Sequence, residues 1–202
     1  MRILKDEKYE SILTAARDEF TAKGFKGASM RGIAQKADVG LSNIYNYFKS
    51  KNDLFLAIVK PVRDEMFLFI AEQHTEEHIE SNRISAMGHK EGTIEHFIRM
   101  IEKNKQEIRL LFCHSEGSSM TNFRNEFADH LTGVSNQYMK LEKKHYPLLH
   151  EVSPFFIHVM CSWMVSVVCE IVTHDLNRQK IREFFREYFR FEFAGWRELT
   201  GT

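Results

Sequence analysis

The chain is predicted to be all-α, and three observations lead to this fold class. Apolar residues recur every three or four positions along most of the 202 residues, which is typical of amphipathic helices. Only 3 prolines and 10 glycines are present, too few for a turn-rich β-sandwich or β-barrel. Apolar residues make up 43% and aromatic residues 12%, which is enough for a core and excludes intrinsic disorder.

The first helix is predicted over residues 7–23, where apolar residues share one face. Gly24 follows it in the position of a C-cap, where a positive φ is needed. Ser29 is a good N-cap for a second, short helix that runs through Ala37. The inner face of this second helix is predicted to hold Met30, Ile33, Ala34 and Ala37.

The next residues complete a helix-turn-helix pattern. Residues 38–40 form a three-residue break, a third short helix is predicted over 41–47, and residues 49–53 separate it from a longer helix. Two short helices joined by such a turn, with a helix packed on each side, are typical of DNA-binding heads. Residues 1–60 hold 11 Lys/Arg and 7 Asp/Glu, a net charge of +4. Residues 61–202 hold 17 Lys/Arg and 21 Asp/Glu, a net charge of −4. The N-terminal end of the chain is therefore expected to meet a polyanion.

Three blocks of residues in this region resemble the TetR family of bacterial transcriptional regulators, with an AcrR-like helix-turn-helix head. They are Phe20-x-x-x-Gly24-Phe25, Ser29-Met30-Arg31-x-Ile33-Ala34-x-x-Ala37-x-Val39 and Ile44-Tyr45-x-Tyr47-Phe48-x-Ser50-Lys51-x-x-Leu54. We accordingly expect a DNA-binding domain over residues 1–52 and a helical effector-binding and dimerisation domain over residues 53–202.

Side chains at the start of the third helix are candidates for reading base edges in the major groove. Asn43 could pair bidentately with adenine, and Leu41 could touch a thymine methyl group. Ile44 and Phe48 are expected to face inward. Lys51, at the N-terminus of the next helix, would neutralise a phosphate together with the helix dipole. With the two contacts that the resemblance implies from the second helix, Ser29 and Arg31, the predicted DNA contacts are Ser29, Arg31, Leu41, Ser42, Asn43, Tyr45, Tyr47 and Lys51.

Two glycines depart from the family's pattern. Gly32 stands inside the second helix where the family usually has a polar or charged residue, and Gly40 stands where Ser or Thr often caps the third helix. Both are expected to leave the short helices less firmly set, since an interior glycine costs ~1 kcal/mol relative to alanine. They leave open an alternative, a helical ligand- or metal-binding protein whose head no longer binds DNA.

The remaining helices follow from the same periodicity. They are predicted over residues 53–80, with Pro61 as a kink or boundary, and over 93–103, 105–114, 122–144, 155–172 and 177–199. Thr93 is the expected N-cap after a polar connection at 81–92, and residues 116–119 are expected to form a loop.

The segment 155–172 is the most apolar part of the chain. Its interruptions, His158, Ser162, Ser166 and Glu170, fall on one helical stripe, which suits a helix buried in a bundle. A membrane span needs ~20 apolar residues, and Glu170 is expected to leave this segment too short. With no signal-peptide pattern at the N-terminus and only three cysteines, a cytoplasmic protein without a membrane partner is expected.

The last two helices are the candidates for a dimer interface. The apolar face of 177–199 is too wide for one neighbour, and in TetR-like proteins the last two helices form a four-helix bundle with those of a second subunit. The predicted interface residues are Ser162, Ser166, Phe185, Phe189 and Trp196. The other interpretation is that both helices complete the core of a single chain.

The resemblance also implies a ligand pocket among the middle helices. Candidates to line it are Phe67, Phe112, His114, Phe123, Tyr138, His158 and Trp163, each of which also suits an ordinary core position. This aromatic set favours a hydrophobic or planar small-molecule effector. The predicted function is a repressor that binds a palindromic operator as a homodimer until the effector releases it. An activator is the alternative within the same class.

Residues 74–78 match the H-x-x-E-H pattern of inverted zinc peptidases. The surrounding acidic residues, however, are typical of the solvated end of a helix, and no third ligand is evident. No nucleophile elbow or phosphate-binding glycine loop stands out. We therefore predict no catalytic residues, no metal site and no cofactor.

Overall fold

A computed structural model describes residues 2–77, 79, 88–174 and 176–201. This part of the chain folds into eight α-helices without a β-strand, which confirms the predicted fold class. The helices are α1 (Arg2–Gly27), α2 (Met30–Lys36), α3 (Leu41–Tyr45), α4 (Lys51–Gln73), α5 (Gly88–Cys113), α6 (Phe123–His145), α7 (Pro154–Thr173) and α8 (Arg178–Thr200).

The first two helices end and begin where their capping residues predict. Gly24 has a φ of 66° and interrupts α1, after which the chain makes one more turn to Gly27. The Ser29 hydroxyl accepts a hydrogen bond from the Gly32 amide at 3.0 Å and caps α2. The positive φ at Gly24 and the N-cap at Ser29 are therefore confirmed.

Helix α3 is two residues shorter than predicted, because Asn46 and Tyr47 form a turn. Helix α4 begins two residues earlier than predicted. The Ser50 hydroxyl accepts a hydrogen bond from the Asp53 amide at 3.0 Å, and this cap allows the helix to start at Lys51.

The fourth helix ends earlier than predicted, and of the two alternatives at Pro61, a kink or a boundary, the structure excludes the boundary. Pro61 lies inside α4 without ending it, although an interior proline costs ~3 kcal/mol. The apolar neighbours Ile58, Val59 and Val62 are buried, and their burial offsets this cost. The helix ends at Gln73 rather than near residue 80, since residues 74–76 form a turn.

Helix α5 starts earlier than predicted and merges two predicted helices. It begins at Gly88, so Thr93 lies inside the helix and is not its N-cap. Asn104, with φ −127° and ψ 23°, interrupts the helix between the two segments predicted at 93–103 and 105–114. The rest of the predicted polar connection, residues 81–87, lies outside the described residues.

The last three helices lie close to their predicted bounds. The Ser153 hydroxyl caps α7 by accepting from the Phe156 amide at 3.2 Å, and Asn177 caps α8 by accepting from the Lys180 amide at 2.9 Å. Helix α8 ends in Gly201, whose φ is 75°. Each cap satisfies an amide at the helix start that has no partner within the helix.

Helix α7 has 20 residues and a mean hydropathy of 2.0, which is long and apolar enough to cross a membrane by length and composition. The expectation that Glu170 would leave it too short was wrong. The core helix of a soluble bundle meets the same criterion, and Ile157, Val165 and Val172 on α7 are buried within the fold. Length and apolar composition are therefore weak support for a membrane span.

The chain divides into two compact units. Unit 1 comprises Met1–Glu65 and Gln106–Arg124, and unit 2 comprises Met66–Lys105 and Asn125–Thr202. The unit that contains the helix-turn-helix thus includes a segment from the middle of the chain. The functional boundary between residues 52 and 53 stays a prediction.

Each unit has an aromatic core. In unit 1, the ring of Phe55 packs edge-on against Phe20 and Phe25, with centroids 5.2 and 5.1 Å apart. In unit 2, Phe97 stacks on Phe185 with centroids 5.3 Å apart.

Candidate nucleic-acid interface

The helix-turn-helix is fixed to the head by apolar residues on its inner side. Ile33 in α2 and Ile44 in α3 are fully buried, and Phe48 is buried after α3. The ring of Tyr9 in α1 stacks on Phe48, with centroids 5.5 Å apart, and contacts Tyr47 at 5.8 Å. The inward orientation predicted for Ile44 and Phe48 is confirmed.

The outer side of α2 and α3 carries the predicted DNA contacts. Ser29, Arg31 and Ser42 are exposed, and Tyr45 is 50% exposed. The other four are half-buried, namely Leu41, Asn43, Tyr47 and Lys51. The structure thus leaves polar groups of both short helices open to a ligand, while their individual roles stay predictions.

Lys51 has a structural role that the sequence did not indicate. Its ammonium group donates to the Phe25 carbonyl at 2.7 Å and to the Ala28 carbonyl at 2.9 Å. It also lies 4.5 Å from the centroid of the Phe25 ring. Lys51 therefore joins the start of α4 to the end of α1. The predicted phosphate contact would have to use its third N–H group.

Gly32 lies close to a side chain of α1, a contact that the sequence did not indicate. A Cβ atom at this position would lie 2.6 Å from Glu19 Oε1 and 3.1 Å from Ser29 Oγ. Helix α2 thus passes close to the side chain of Glu19, which is 0% exposed, and a Cβ at residue 32 would displace one of the two. Gly40, the second departure, precedes α3 without a side-chain cap, as predicted.

The buried carboxylate of Glu19 is paired with two lysines. Lys23 Nζ lies 2.7 Å from Oε1, and Lys36 Nζ lies 2.8 Å from Oε2. Burial raises the pKa of Glu19, but hydrogen bonds and positive charge from Lys23 and Lys36 outweigh it and hold the pKa below its ordinary value of 4.5. Glu19 is therefore charged in the folded head at neutral pH.

The loop after α5, residues 114–119, packs against the head within unit 1. The Phe25 amide donates to the His114 carbonyl at 2.9 Å, and the Ser119 amide donates to Asn52 Oδ1 at 2.8 Å. Sequence reasoning predicted this loop but found no signal for its partners, because they lie more than 60 residues away.

The predicted pocket residues are divided between the two units. Phe112, His114 and Phe123 lie in unit 1, where Phe112 and Phe123 are buried and pack on each other with centroids 5.1 Å apart. These two rings pack in the core of unit 1, and their part in a ligand pocket stays a prediction. Sequence proximity and aromatic character did not separate the two roles.

The other four pocket candidates lie in unit 2, and their contacts also differ. Phe67 packs edge-on against His130 at 4.6 Å, and Tyr138 packs against His74 at 5.4 Å. His158 Nδ1 lies 3.4 Å from Thr132 Oγ1. Trp163 is 38% exposed. A shared ligand site for these four residues stays a prediction.

One of the predicted interface residues is buried inside the chain and has no surface to offer a partner. Phe185 is fully buried against Phe97, so it belongs to the core of the single chain. Ser162, Ser166, Phe189 and Trp196 are half-buried. Sequence reasoning missed the large apolar side chains that α7 and α8 expose, namely Phe155, Phe156, Val159, Trp163, Phe191 and Leu199.

The histidine pair of the H-x-x-E-H pattern can be followed only in part. His74 Nδ1 lies 2.7 Å from the Ile70 carbonyl, and His78 lies outside the described residues. Among the residues that the structure describes, no group of three or more His, Cys, Asp or Glu side chains could hold a metal ion.

Comparison with known proteins shows what this head is similar to. Residues 12–58, which contain the helix-turn-helix, match the model of the bacterial regulatory proteins of the tetR family. The head is therefore similar to the DNA-binding region of the TetR family. The curated relatives that match this region are named transcriptional regulators.

A curated relative matches a longer part of the chain. The HTH-type transcriptional activator FasR of Mycolicibacterium smegmatis is 29% identical over 111 residues, which cover 55% of this chain. The matched segment spans 48% of FasR, so the chain covers about half the length of this relative.

Solved structures share the fold over nearly the whole chain. A TetR-like transcriptional regulator from Rhodococcus sp. RHA1 has a TM-score of 0.61 at 17% identity and covers 93% of this chain and 96% of its own. NalD of Pseudomonas aeruginosa, the secondary repressor of the MexAB-OprM multidrug efflux pump, has a TM-score of 0.59 at 16% identity, with coverage of 91% and 95%.

Proposed function

We propose that this protein is a DNA-binding transcriptional regulator that binds a palindromic operator as a homodimer. The observation that carries the proposal is the α2–turn–α3 unit, which exposes Ser29, Arg31, Ser42 and Tyr45 on its outer side. Residues 1–60, which include this unit, carry a net charge of +4. A positive charge favours binding to the phosphates of DNA. The alternative of a degenerate head rested on Gly32 and Gly40, and the close approach to Glu19 offers a structural reason for the first of them.

In this proposal Leu41, Ser42 and Asn43 enter the major groove from the N-terminal end of α3. Asn43 supplies the discriminating contact, because its amide can donate to and accept from one adenine edge. Tyr45 and Tyr47 donate their hydroxyl groups to phosphates, and Ser29 and Arg31 contact the DNA from α2. These contacts divide into those that read bases and those that hold the backbone.

The exposed apolar surface of α7 and α8 supports the dimer. Phe155, Val159 and Trp163 lie at intervals of four along α7, and each is exposed. Phe191 of α8 is 65% exposed and lies against Trp163, with ring centroids 5.9 Å apart. A twofold dimer through this surface would present two recognition helices to half-sites one helical turn apart, ~34–36 Å.

The proposal also states whether the protein represses or activates transcription and which class of effector it binds. We favour a cytoplasmic repressor released by a hydrophobic or aromatic small molecule, which shifts the population of DNA-competent dimers. NalD is named a repressor, while FasR is named an activator. Similarity to these proteins alone thus allows either sign.

Asn43→Ala tests the proposed base contact. We expect a loss of about 1–3 kcal/mol in binding to the operator, with little change on a scrambled duplex, because only a base contact distinguishes the two. The measurement is fluorescence anisotropy with both duplexes, and Asn46→Ala, an exposed amide just after α3, is the control. Equal losses on both duplexes for Asn43→Ala would contradict its assignment to a base edge.

A further inference from the structure

Glu19 is an acidic side chain in a head that is expected to bind DNA, and it is completely buried. Its carboxylate lies in α1 beneath Gly32 of α2, and a Cβ at residue 32 would lie 2.6 Å from Oε1. No side chain at position 32 other than hydrogen fits beside it without displacement. The backbone of α2 at Gly32 therefore lies against this carboxylate.

The charges around Glu19 connect the same two helices. Lys23 is on α1, one turn after Glu19, and Lys36 is the last residue of α2. Their ammonium groups lie 2.7 and 2.8 Å from the two carboxylate oxygens. A buried carboxylate is stable only when it is paired with a positive charge. Because Lys36 of α2 supplies one of these charges, it holds α2 against α1 at a second point beside Gly32.

We infer that Glu19 is a positioning residue for DNA binding, which sets α2 on α1 and thereby places the turn and α3. The inference rests on the proposed DNA-binding function. Glu19 also holds Lys23 and Lys36, which are half-exposed and would otherwise be available to phosphates. The buried carboxylate thus favours sequence-specific over non-specific binding.

Glu19→Gln tests this inference through specificity. The substitution keeps the shape of the side chain but releases two lysines, so we expect weaker binding to the operator and stronger binding to a scrambled duplex. The ratio of the two affinities should fall by about tenfold or more, and the salt dependence on the scrambled duplex should steepen. Glu10→Gln is the matched control, because it removes the same charge from an exposed site on the same helix. It should strengthen both complexes alike and leave the ratio unchanged.

The contact between Glu19 and Gly32 is tested in the absence of DNA, by asking whether removal of Glu19 reduces the loss of stability caused by a side chain at residue 32. Gly32→Ala should lower the midpoint of thermal unfolding in the parent protein, and it should lower it much less in a Glu19→Ala background, where Oε1 is absent. Gly133→Ala, in α6 with no heavy atom within 4 Å of the added Cβ, controls for helix propensity and should not lower the midpoint.

The two arms separate failure of the inference from failure of the proposed function. Additive effects of Gly32→Ala and Glu19→Ala would overturn the contact, and an unchanged affinity ratio in Glu19→Gln would overturn the positioning role. A parent protein that binds neither duplex would overturn the DNA-binding function, and with it the positioning role. The unfolding cycle would then still decide whether Glu19 holds α2.

Discussion

Lys51 shows how one side chain of the head combines apolar and polar contacts. Its two hydrogen bonds go to carbonyl groups at the end of α1, which has no further helical turn to satisfy them. The ring of Phe25 lies beneath the same ammonium group, in the core of unit 1. We therefore assign to Lys51 a role in the stability of the head, beside any contact with phosphate.

Lys51→Ala is expected to destabilise the head by about 1–3 kcal/mol, because two carbonyl groups lose a charged donor. The measurement is chemical unfolding followed by circular dichroism. Lys49→Ala, two residues earlier and exposed, is the control and should leave stability within about 0.5 kcal/mol of the parent. Equal stability of both variants would refute the structural role of Lys51.

His114 makes the stability of unit 1 depend on pH. Burial lowers the pKa of His114 below its ordinary value of 6.5, and the charge of Arg109 lowers it further. The unfolded chain binds this proton more readily than the folded one. The stabilising contribution is therefore complete above pH 6.5 and is lost as the pH falls through the folded pKa.

We expect the melting temperature to fall more steeply between about pH 7.5 and 5.5 in the parent than in His114→Asn, which cannot be protonated. Differential scanning calorimetry on both proteins gives the comparison. The same dependence on pH in both would mean that His114 makes no contribution.

The roles of individual residues were predictable from the sequence where they depend on neighbours a few positions away. Ser29 caps α2 and Ile44 faces inward because both properties depend on neighbours within a few positions. The close approach of Gly32 to Glu19 could not be predicted, because Glu19 lies thirteen residues earlier in another helix. Long-range contacts of this kind have no local signal.

At the scale of elements, the end of α1 determines how the helix-turn-helix begins. Gly24 has φ 66° and ψ 170°, a conformation that is essentially restricted to glycine. It redirects the chain so that the Phe25 amide donates to the His114 carbonyl. The residue thus links α1 with the loop after α5.

Gly24→Ala should destabilise the protein by about 1–3 kcal/mol, the usual cost of such a backbone conformation for other residues. Gly27→Ala, at the end of the same helix, has an ordinary φ and meets only the Lys23 Cβ at 3.4 Å. Its effect on stability should be small. A Gly27→Ala variant less stable than Gly24→Ala in urea unfolding would rule out this account of α1.

Helix boundaries were predictable where a cap marks them. Ser153 and Asn177 mark α7 and α8, whereas Thr93 resembled a cap and lies inside α5. Pro61 was expected to kink or end α4, but buried neighbours keep the helix intact. Tertiary packing outweighs propensity at these positions, and the sequence does not show which residues will be buried together.

At the scale of the whole molecule, the exposed apolar surface of α7 and α8 is the basis of the proposed dimer. Single exposed apolar side chains are ordinary, but Phe155, Val159, Trp163 and Phe191 share two adjacent helices. The sequence predicts the two helices as the interface but names Ser162 and Ser166 on α7 rather than these exposed residues. Phe185, one of the predicted contacts, lies in the core.

Trp163→Glu should convert the proposed dimer into monomers at micromolar concentration, because it places a charge in the centre of this surface. Sedimentation equilibrium gives the mass directly. Leu68→Glu is the control, since Leu68 of α4 is 65% exposed and lies outside the surface. Monomers in both variants, or dimers in both, would exclude the surface as the specific interface.

The measurement that tests the central claim most directly is fluorescence anisotropy of the protein with a duplex from upstream of its own gene and with a scrambled duplex. Both titrations are run at about 50 and 200 mM salt, where phosphate contacts appear as a steep loss of affinity. We predict tight binding to the native duplex alone, at two subunits per site. Absence of binding to either duplex at the lower salt concentration would contradict the proposed DNA-binding function.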